Sequence, residues 1–162
     1  MDAEDYDSPI GWLRLEADSS GLRSIHFPSL AHEGAGDKFT PLEQGVENPH
    51  LKDARRDLDR YFSGGESQTF STKLAPLGTG FQKRVWDELR KIPFGSSATY
   101  GQIAERMGNP KASRAVGGAN NRNPIPILLP CHRVVGAGGT LVGYAGELWR
   151  KEWLLKHEGA LF

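Results

Sequence analysis

Apolar and polar side chains alternate from Trp12 to Ala17, with Leu13, Leu15 and Ala17 on one side and Trp12, Arg14 and Glu16 on the other. That period of two predicts a half-buried strand. Asp18-Ser19-Ser20-Gly21 offers a turn before Leu22 to Phe27, so the two runs read as a hairpin. Residues 28 to 48 carry glycine, proline and charge and predict a loop. The period then changes: Leu51, Ala54, Leu58, Tyr61 and Phe62 recur at helical spacing, behind Asn48 as cap and Pro49 at the first helical position, until Gly64-Gly65 stops them. A short strand around Thr69 to Leu74 is predicted to join the hairpin, and Ala75-Pro76-Leu77-Gly78 is the candidate linker.

Beyond the linker the pattern is helical. Thr79 caps a helix whose Phe81, Val85, Leu89 and Ile92 form one apolar stripe, closed by Pro93-Phe94-Gly95. Thr99 with Gln102 three residues later is a capping box for a helix from Tyr100 to Met107, which Gly108 ends. Asn109-Pro110 then predicts the start of a second helix from Lys111 to about Ala119, and the pair matches a helix-turn-helix. A short buried strand is predicted at Ile127, Leu128 and Leu129 between prolines, and a last helix from Leu148 to His157. The fold class is therefore α/β (α+β). A small N-terminal α+β domain with a short antiparallel sheet, residues 1–77, precedes a mostly helical C-terminal domain, residues 78–162.

Composition narrows the classes. The 162 residues carry no net charge, and 38% are apolar, as in a folded globular chain. No stretch approaches ~18 uncharged apolar residues, so no membrane partner is expected. The acidic N-terminus (Asp2, Glu4, Asp5, Asp7) is unlike a secretory leader, and a cytoplasmic protein is expected. One cysteine, Cys131, excludes an intramolecular disulfide and a multi-cysteine zinc site. Zero net charge hides an asymmetry: residues 1–77 hold 8 basic and 14 acidic side chains, residues 78–162 hold 12 and 6. No acid lies between Glu105 and Glu147, where Arg106, Lys111, Arg114, Arg122 and Arg133 all fall. Such a stretch is either a solvated basic face or a footprint for a polyanion.

The second helix of the pair has an unusual composition. Ala112, Ser113, Ala115, Gly117, Gly118 and Ala119 are small, leaving Arg114 as the one long side chain near its centre. Two glycines cost such a helix ~1 kcal/mol each relative to alanine. Either the helix packs closely on a neighbour, or it is slim enough to enter a minor groove and push Arg114 into the base stack. Cys131, at the end of the proline-bounded run, is either an inert small hydrophobe or a nucleophile raised in reactivity by His132 and Arg133. On a strand, Cys131 and His132 would point to opposite faces, so a base acting from His132 would need a sharp backbone turn or a bridging water. Glu152 and Glu158 are the two acids placed to orient the imidazole.

These residues carry a resemblance. The run from Gly108 to Val135, with Pro130-Cys131-His132-Arg133-Val134 at its heart, Tyr100 upstream and Lys151 to Gly159 downstream, resembles the O6-alkylguanine-DNA alkyltransferases, the methylated-DNA-protein-cysteine methyltransferases. The likeness is strong from Phe81 to Gly159 and weaker through Asp7-Ser8-Pro9-Ile10-Gly11. It implies direct-reversal DNA repair, in which Cys131 irreversibly takes the alkyl group from O6-alkylguanine in duplex DNA, once per molecule, with O4-alkylthymine as a second candidate lesion. Cys131 would be the acceptor and His132, acting through a water, the base. Glu158 would stand behind His132, Asn123 would support the active-site turn, and Tyr100 would assist the leaving base. Arg114 would fill the gap left by the flipped base. Thr99, Gly101, Ala112, Ser113 and Gly117 would contact DNA, and Tyr144, Val134, Pro126 and Ala145 would line the base pocket.

A thioether is not hydrolysed, so no cofactor for turnover is expected. Some members of the family hold zinc through N-terminal Cys and His ligands; this chain has no N-terminal cysteine, and no metal is expected. His26, His32 and His50 read as surface or turn residues, and Trp12, Trp86, Trp149 and Trp153 as core or partly buried packing. The expected partner is double-stranded DNA carrying alkylated bases, met by a monomer, with cooperation along DNA left open. The sequence departs from the family at Ala145-Gly146-Glu147, where a small residue and two glycines are usual. Two alternatives stand beside this reading. A non-catalytic alkyltransferase-like lesion binder would lack the cysteine, and a cysteine hydrolase would turn over.

Overall fold

The computed structural model describes residues 1–28, 40–42, 47–64, 70–144 and 146–160. They divide into two compact units, Met1–Pro76 and Leu77–Phe162.

The first unit is a three-stranded antiparallel sheet, β1 (Asp2–Ser8), β2 (Gly11–Asp18) and β3 (Gly21–His26), in that order, with helix α1 (Pro49–Phe62) against it. Leu13, Leu15 and Ala17 of β2 and Leu51, Ala54, Leu58 and Tyr61 of α1 are all fully buried, so the alternation read along β2 marks its core face. Asn48 caps α1 by accepting from the His50 amide, with Pro49 in the first turn. The expected hairpin is β2–β3; β1 is an added strand that no apolar alternation announces. Two of its three buried positions are acids held by arginines: Asp5 faces its cross-strand partner Arg14, with contacts of 2.8 and 2.9 Å, and Glu4 meets Arg55 of α1.

The strand expected at Thr69 to Leu74 is not formed among residues 70–74, which make one isolated parallel bridge from Leu74 to Leu22. The cause is local. The Thr72 amide and hydroxyl both donate to the buried Asp57 carboxylate of α1, taking from the backbone a group that a ladder needs. Gly21, at φ +144°, is required where it stands, since a Cβ there would lie 2.7 Å from the Lys73 carbonyl oxygen.

The second unit packs α2 (Gly80–Leu89), α3 (Tyr100–Arg106) and α4 (Ser113–Asn121) together. The α5 helix (Leu148–His157) lies against a 3₁₀ turn, Cys131–Arg133. Thr79 and Thr99 each close a capping box, with Gln82 and Gln102. Trp86 of α2 is buried and donates its indole N–H to the Ala119 carbonyl of α4 at 2.9 Å. Strands β4 (Ala98–Thr99) and β5 (Val134–Val135) pair in parallel, which fixes the start of α3 beside the segment following Cys131.

Three expectations need correction here. Helix α4 begins at Ser113, not Lys111, and Ala112 occupies the cap position with no side-chain bond. The Ala112 amide donates to the Asn109 carbonyl, so Pro110 and Lys111 form a closed turn. Ile127 to Leu129 is buried but is a turn: Ile127 has φ +74° and the Leu129 amide bonds the Ile125 carbonyl. Pro124, Pro126 and Pro130 lack the N–H groups a ladder would use. Trp149 is 40% exposed, with the Arg150 guanidinium 4.6 Å from its ring, whereas Trp12 and Trp153 are partly buried. His26 is exposed and bonds Glu16; His50 is partly buried; His32 lies outside the described residues. Among the described residues no helix is long and apolar enough to cross a membrane.

Candidate active site

Cys131 opens a 3₁₀ turn and does not end a strand, and this changes what its neighbours can reach. Asn123 builds the approach, donating to the Leu129 carbonyl at 2.7 Å and accepting from the Ile125 amide at 2.9 Å, so one side chain closes the proline-rich turn. The Asn120 amide of α4 reaches the Cys131 carbonyl at 3.4 Å.

The turn sends His132 inward, fully buried, to Glu158 at the C-terminal cap of α5, with Nε2 2.5 Å from the carboxylate. Nε2 therefore carries the proton, and Nδ1 presents a lone pair. That Nδ1 is buried and has no hydrogen-bond partner among the described residues. Of the two candidate acids, Glu158 touches the imidazole; Glu152 pairs with Lys156 in solvent at 2.8 Å. Arg133 lies on the same carboxylate, through Nε at 2.7 Å and Nη2 at 3.2 Å.

The electrostatics revise the idea that basic neighbours ionise the thiol. Burial pushes Cys131 up to about 11, against smaller opposing contributions from the Asn123 hydrogen bond and the charge of Lys151. Burial also holds the His132 imidazole below its usual range, despite Glu158. At neutral pH the resting pair is thus a thiol and a neutral imidazole, and the charge of Arg133 is engaged elsewhere. Burial opposes ionisation of Glu158 too, yet the charge of His132, protonated in the acid range where this carboxyl titrates, the hydrogen bond from that ring, and the hydrogen bonds and charge of Arg133 bring it down to about 2.

Lys151 was absent from the sequence-derived site. It is fully buried on α5 and donates Nζ to the carbonyls of Val134 (2.6 Å), Val142 (2.7 Å) and Gly143 (3.2 Å). Burial brings it down to about 8, with the charge of Cys131 opposing. Its signal was available, because positions 151, 154, 155 and 158 make one helical stripe that the two leucines mark as inward-facing. The same lysine occupies the Val134 carbonyl.

Tyr100 and Tyr144 flank the cysteine. Tyr100 is raised by burial and by the Cys131 charge, and its hydroxyl reaches the Val142 carbonyl at 3.4 Å. Burial and the Cys131 charge also raise Tyr144. Pro126 and Val134 are buried, while Ala145 lies outside the described residues.

An open groove of about 470 Å³ runs beside this centre, lined by Tyr100, Ser113, Arg114, Gly117, Val142 and Gly143 among others. Arg114 is exposed on it. Thr99 and Gly101 stand at the start of α3, Gly101 close to Ser113, and Ala112 caps α4. The two glycines of α4 are not demanded by packing: a Cβ at Gly118 would meet nothing within 4 Å, and one at Gly117 would make ordinary contact with Tyr100. Among the described residues no group of three His, Cys, Asp or Glu could hold a metal.

Residues 80–160 match the family model described as 6-O-methylguanine DNA methyltransferase, DNA binding domain, and residues 4–76 the one described as 6-O-methylguanine DNA methyltransferase, ribonuclease-like domain. The methylated-DNA--protein-cysteine methyltransferase of Methanosarcina acetivorans is 51% identical over 96% of this chain and 96% of its own. That of Mycobacterium leprae is 46% identical over 94% and 88%. The crystal structure of Mycobacterium tuberculosis OGT in complex with DNA superposes with TM-score 0.82 at 41% identity, covering 97% of this chain and 92% of that one. Two models matched in order along nearly the whole length, and relatives this similar over theirs, mean that the chain belongs to the 6-O-methylguanine DNA methyltransferase family.

Proposed function

We propose that the protein repairs DNA by direct reversal, moving the alkyl group of O6-alkylguanine in a duplex onto Cys131. The observation that carries this reading is the buried imidazole of His132, held by Glu158 through Nε2 and offering an unpartnered Nδ1 in the same turn as the sole cysteine. The thiol proton passes to Nδ1 through one water. The sulfur attacks the alkyl carbon, a C–S bond forms, the C–O6 bond breaks, and the electron pair leaves on the guanine. Glu158 stabilises the resulting imidazolium, and Tyr100 donates a hydrogen bond to the departing base. The thioether persists, so each chain acts once.

Reaching a base in a duplex requires extrusion, at a cost of a few kcal/mol. The slim α4 and its exposed Arg114 suit occupation of the vacated space. Tyr144, Val134 and Pro126, with Ala145, form the pocket in this reading, and Thr99, Gly101, Ala112, Ser113 and Gly117 meet the strand. One acceptor and one relay in one chain require only a monomer, acting in the cytoplasm.

The test is intact mass after mixing with duplex oligonucleotide carrying O6-methylguanine. The expected result is one added methyl per chain, on Cys131. Several repaired lesions per chain would assign a hydrolase; tight binding with no adduct would assign a lesion binder. Repeating the assay with O4-methylthymine separates the two lesions, and Arg114→Ala is expected to slow repair in duplex far more than transfer from the free base.

A further inference from the structure

Arg133 is held on every side. Two of its nitrogens lie on the two oxygens of Glu158, a third donates to the Ile92 carbonyl at 2.8 Å, and its guanidinium lies 5.9 Å from the centre of the Phe94 ring. The side chain is 5% exposed and that of Glu158 not at all, so neither charge is answered by water. An arginine in this fork geometry stays protonated at any physiological pH.

Consider the carboxylate without it. A lone buried anion 2.5 Å from His132 would be neutralised by turning the imidazole into its cation. An imidazolium cannot take the thiol proton. With Arg133 present, Glu158 already has its counter-charge, and it keeps enough basicity to accept the Nε2–H bond that leaves Nδ1 as the acceptor. We propose that Arg133 is a positioning residue of the relay: by occupying both oxygens of Glu158 it keeps the His132 imidazole neutral at rest and Nδ1 ready for the thiol proton. The inference rests on the His132 relay read above.

The charges facing His132 agree in direction. Glu158 favours the cation; Arg133 in the same turn and Lys151 on α5 oppose it, and burial opposes it most. Removing the permanent cation therefore raises the basicity of the imidazole.

The experiment is the single-turnover rate of methyl transfer from O6-methylguanine duplex, measured from about pH 5 to about pH 8, with NMR titration of the His132 ring. In Arg133→Gln the low-pH limb, below which a protonated His132 stops transfer, is expected to move upward by about one pH unit or more. In Arg133→Lys, which keeps the charge but not the two-pronged grip, it moves the same way by less, and this variant carries the test should Arg133→Gln fail to fold. In a Glu158→Gln background the shift shrinks to the direct repulsion between the Arg133 charge and the imidazolium, because there is no anion left to share. A rate lowered by the same factor at every pH in both Arg133 variants, or a shift that is undiminished in Glu158→Gln, overturns the proposal. His132→Ala separates the two ideas: an unchanged low-pH limb there removes the relay itself, whereas an altered limb there and none in Arg133→Gln removes only the role of Arg133.

Discussion

At the scale of single residues, the charges around Cys131 work by being fixed rather than by being numerous. His132, Arg133 and Glu158 are each nearly or fully removed from solvent. Their protonation is therefore tied to folding. His132 is held neutral in the fold, so the unfolded chain binds more protons below its ordinary value near ~6.5, and stability falls as the pH drops below that point. Glu158, lowered to about 2, stabilises the fold above its ordinary value near ~4.3, and that contribution is lost between there and about pH 2. In urea melts, Glu158→Gln is expected to cost on the order of 3 kcal/mol at neutral pH by leaving Arg133 under-paired. The deficit should narrow on acidification; a deficit independent of pH would contradict the assignment. Spacing put His132 and two glutamates within range without choosing between them, since the choice depends on where α5 ends against the 3₁₀ turn; only the family resemblance pointed to Glu158. It also read Arg133 as a charge near sulfur, because spacing along a chain says nothing of which way a buried guanidinium points.

At the scale of elements, the caps and stripes were legible and the strained turns were not. Helices α1, α2 and α5 were written plainly in Asn48-Pro49, in Thr79 with the apolar stripe behind it, and in the span Leu148 to His157. Strand β1 was not, because arginine-paired acids replace its apolar alternation. The Ile127 turn was missed because a buried apolar triplet looks alike as strand or turn. Glu147, at the N-cap of α5, adopts φ +81° and ψ +148°, a region essentially reserved for glycine. Glu147→Gly is therefore expected to stabilise the protein by about 1–2 kcal/mol, read as a higher thermal midpoint. Gly117→Ala should also stabilise, by up to ~1 kcal/mol, since the added methyl only touches Tyr100. It should nevertheless slow repair of duplex substrate, a pairing of effects that a purely structural glycine would not produce.

At the scale of the whole molecule, charge is divided between the two halves of the sequence. The acidic half holds the sheet and α1, and the basic half holds the groove and Cys131. Binding to duplex DNA is accordingly expected to weaken with salt, with a linear fall of log affinity against log salt that reports the phosphates neutralised. Arg114→Ala should weaken binding while changing that slope by about one phosphate at most. Affinity indifferent to salt would mean that the basic stretch from Arg106 to Arg133 plays no part in holding DNA.

The burial that keeps Cys131 protonated has a consequence for a protein that acts once. A molecule of this kind is a reagent, and any other electrophile or oxidant that reached its sulfur would waste it. Oxidation and adventitious modification follow thiolate character and access, and Cys131 offers little of either until a substrate is in place. The slow chemistry of its resting state amounts to shelf life.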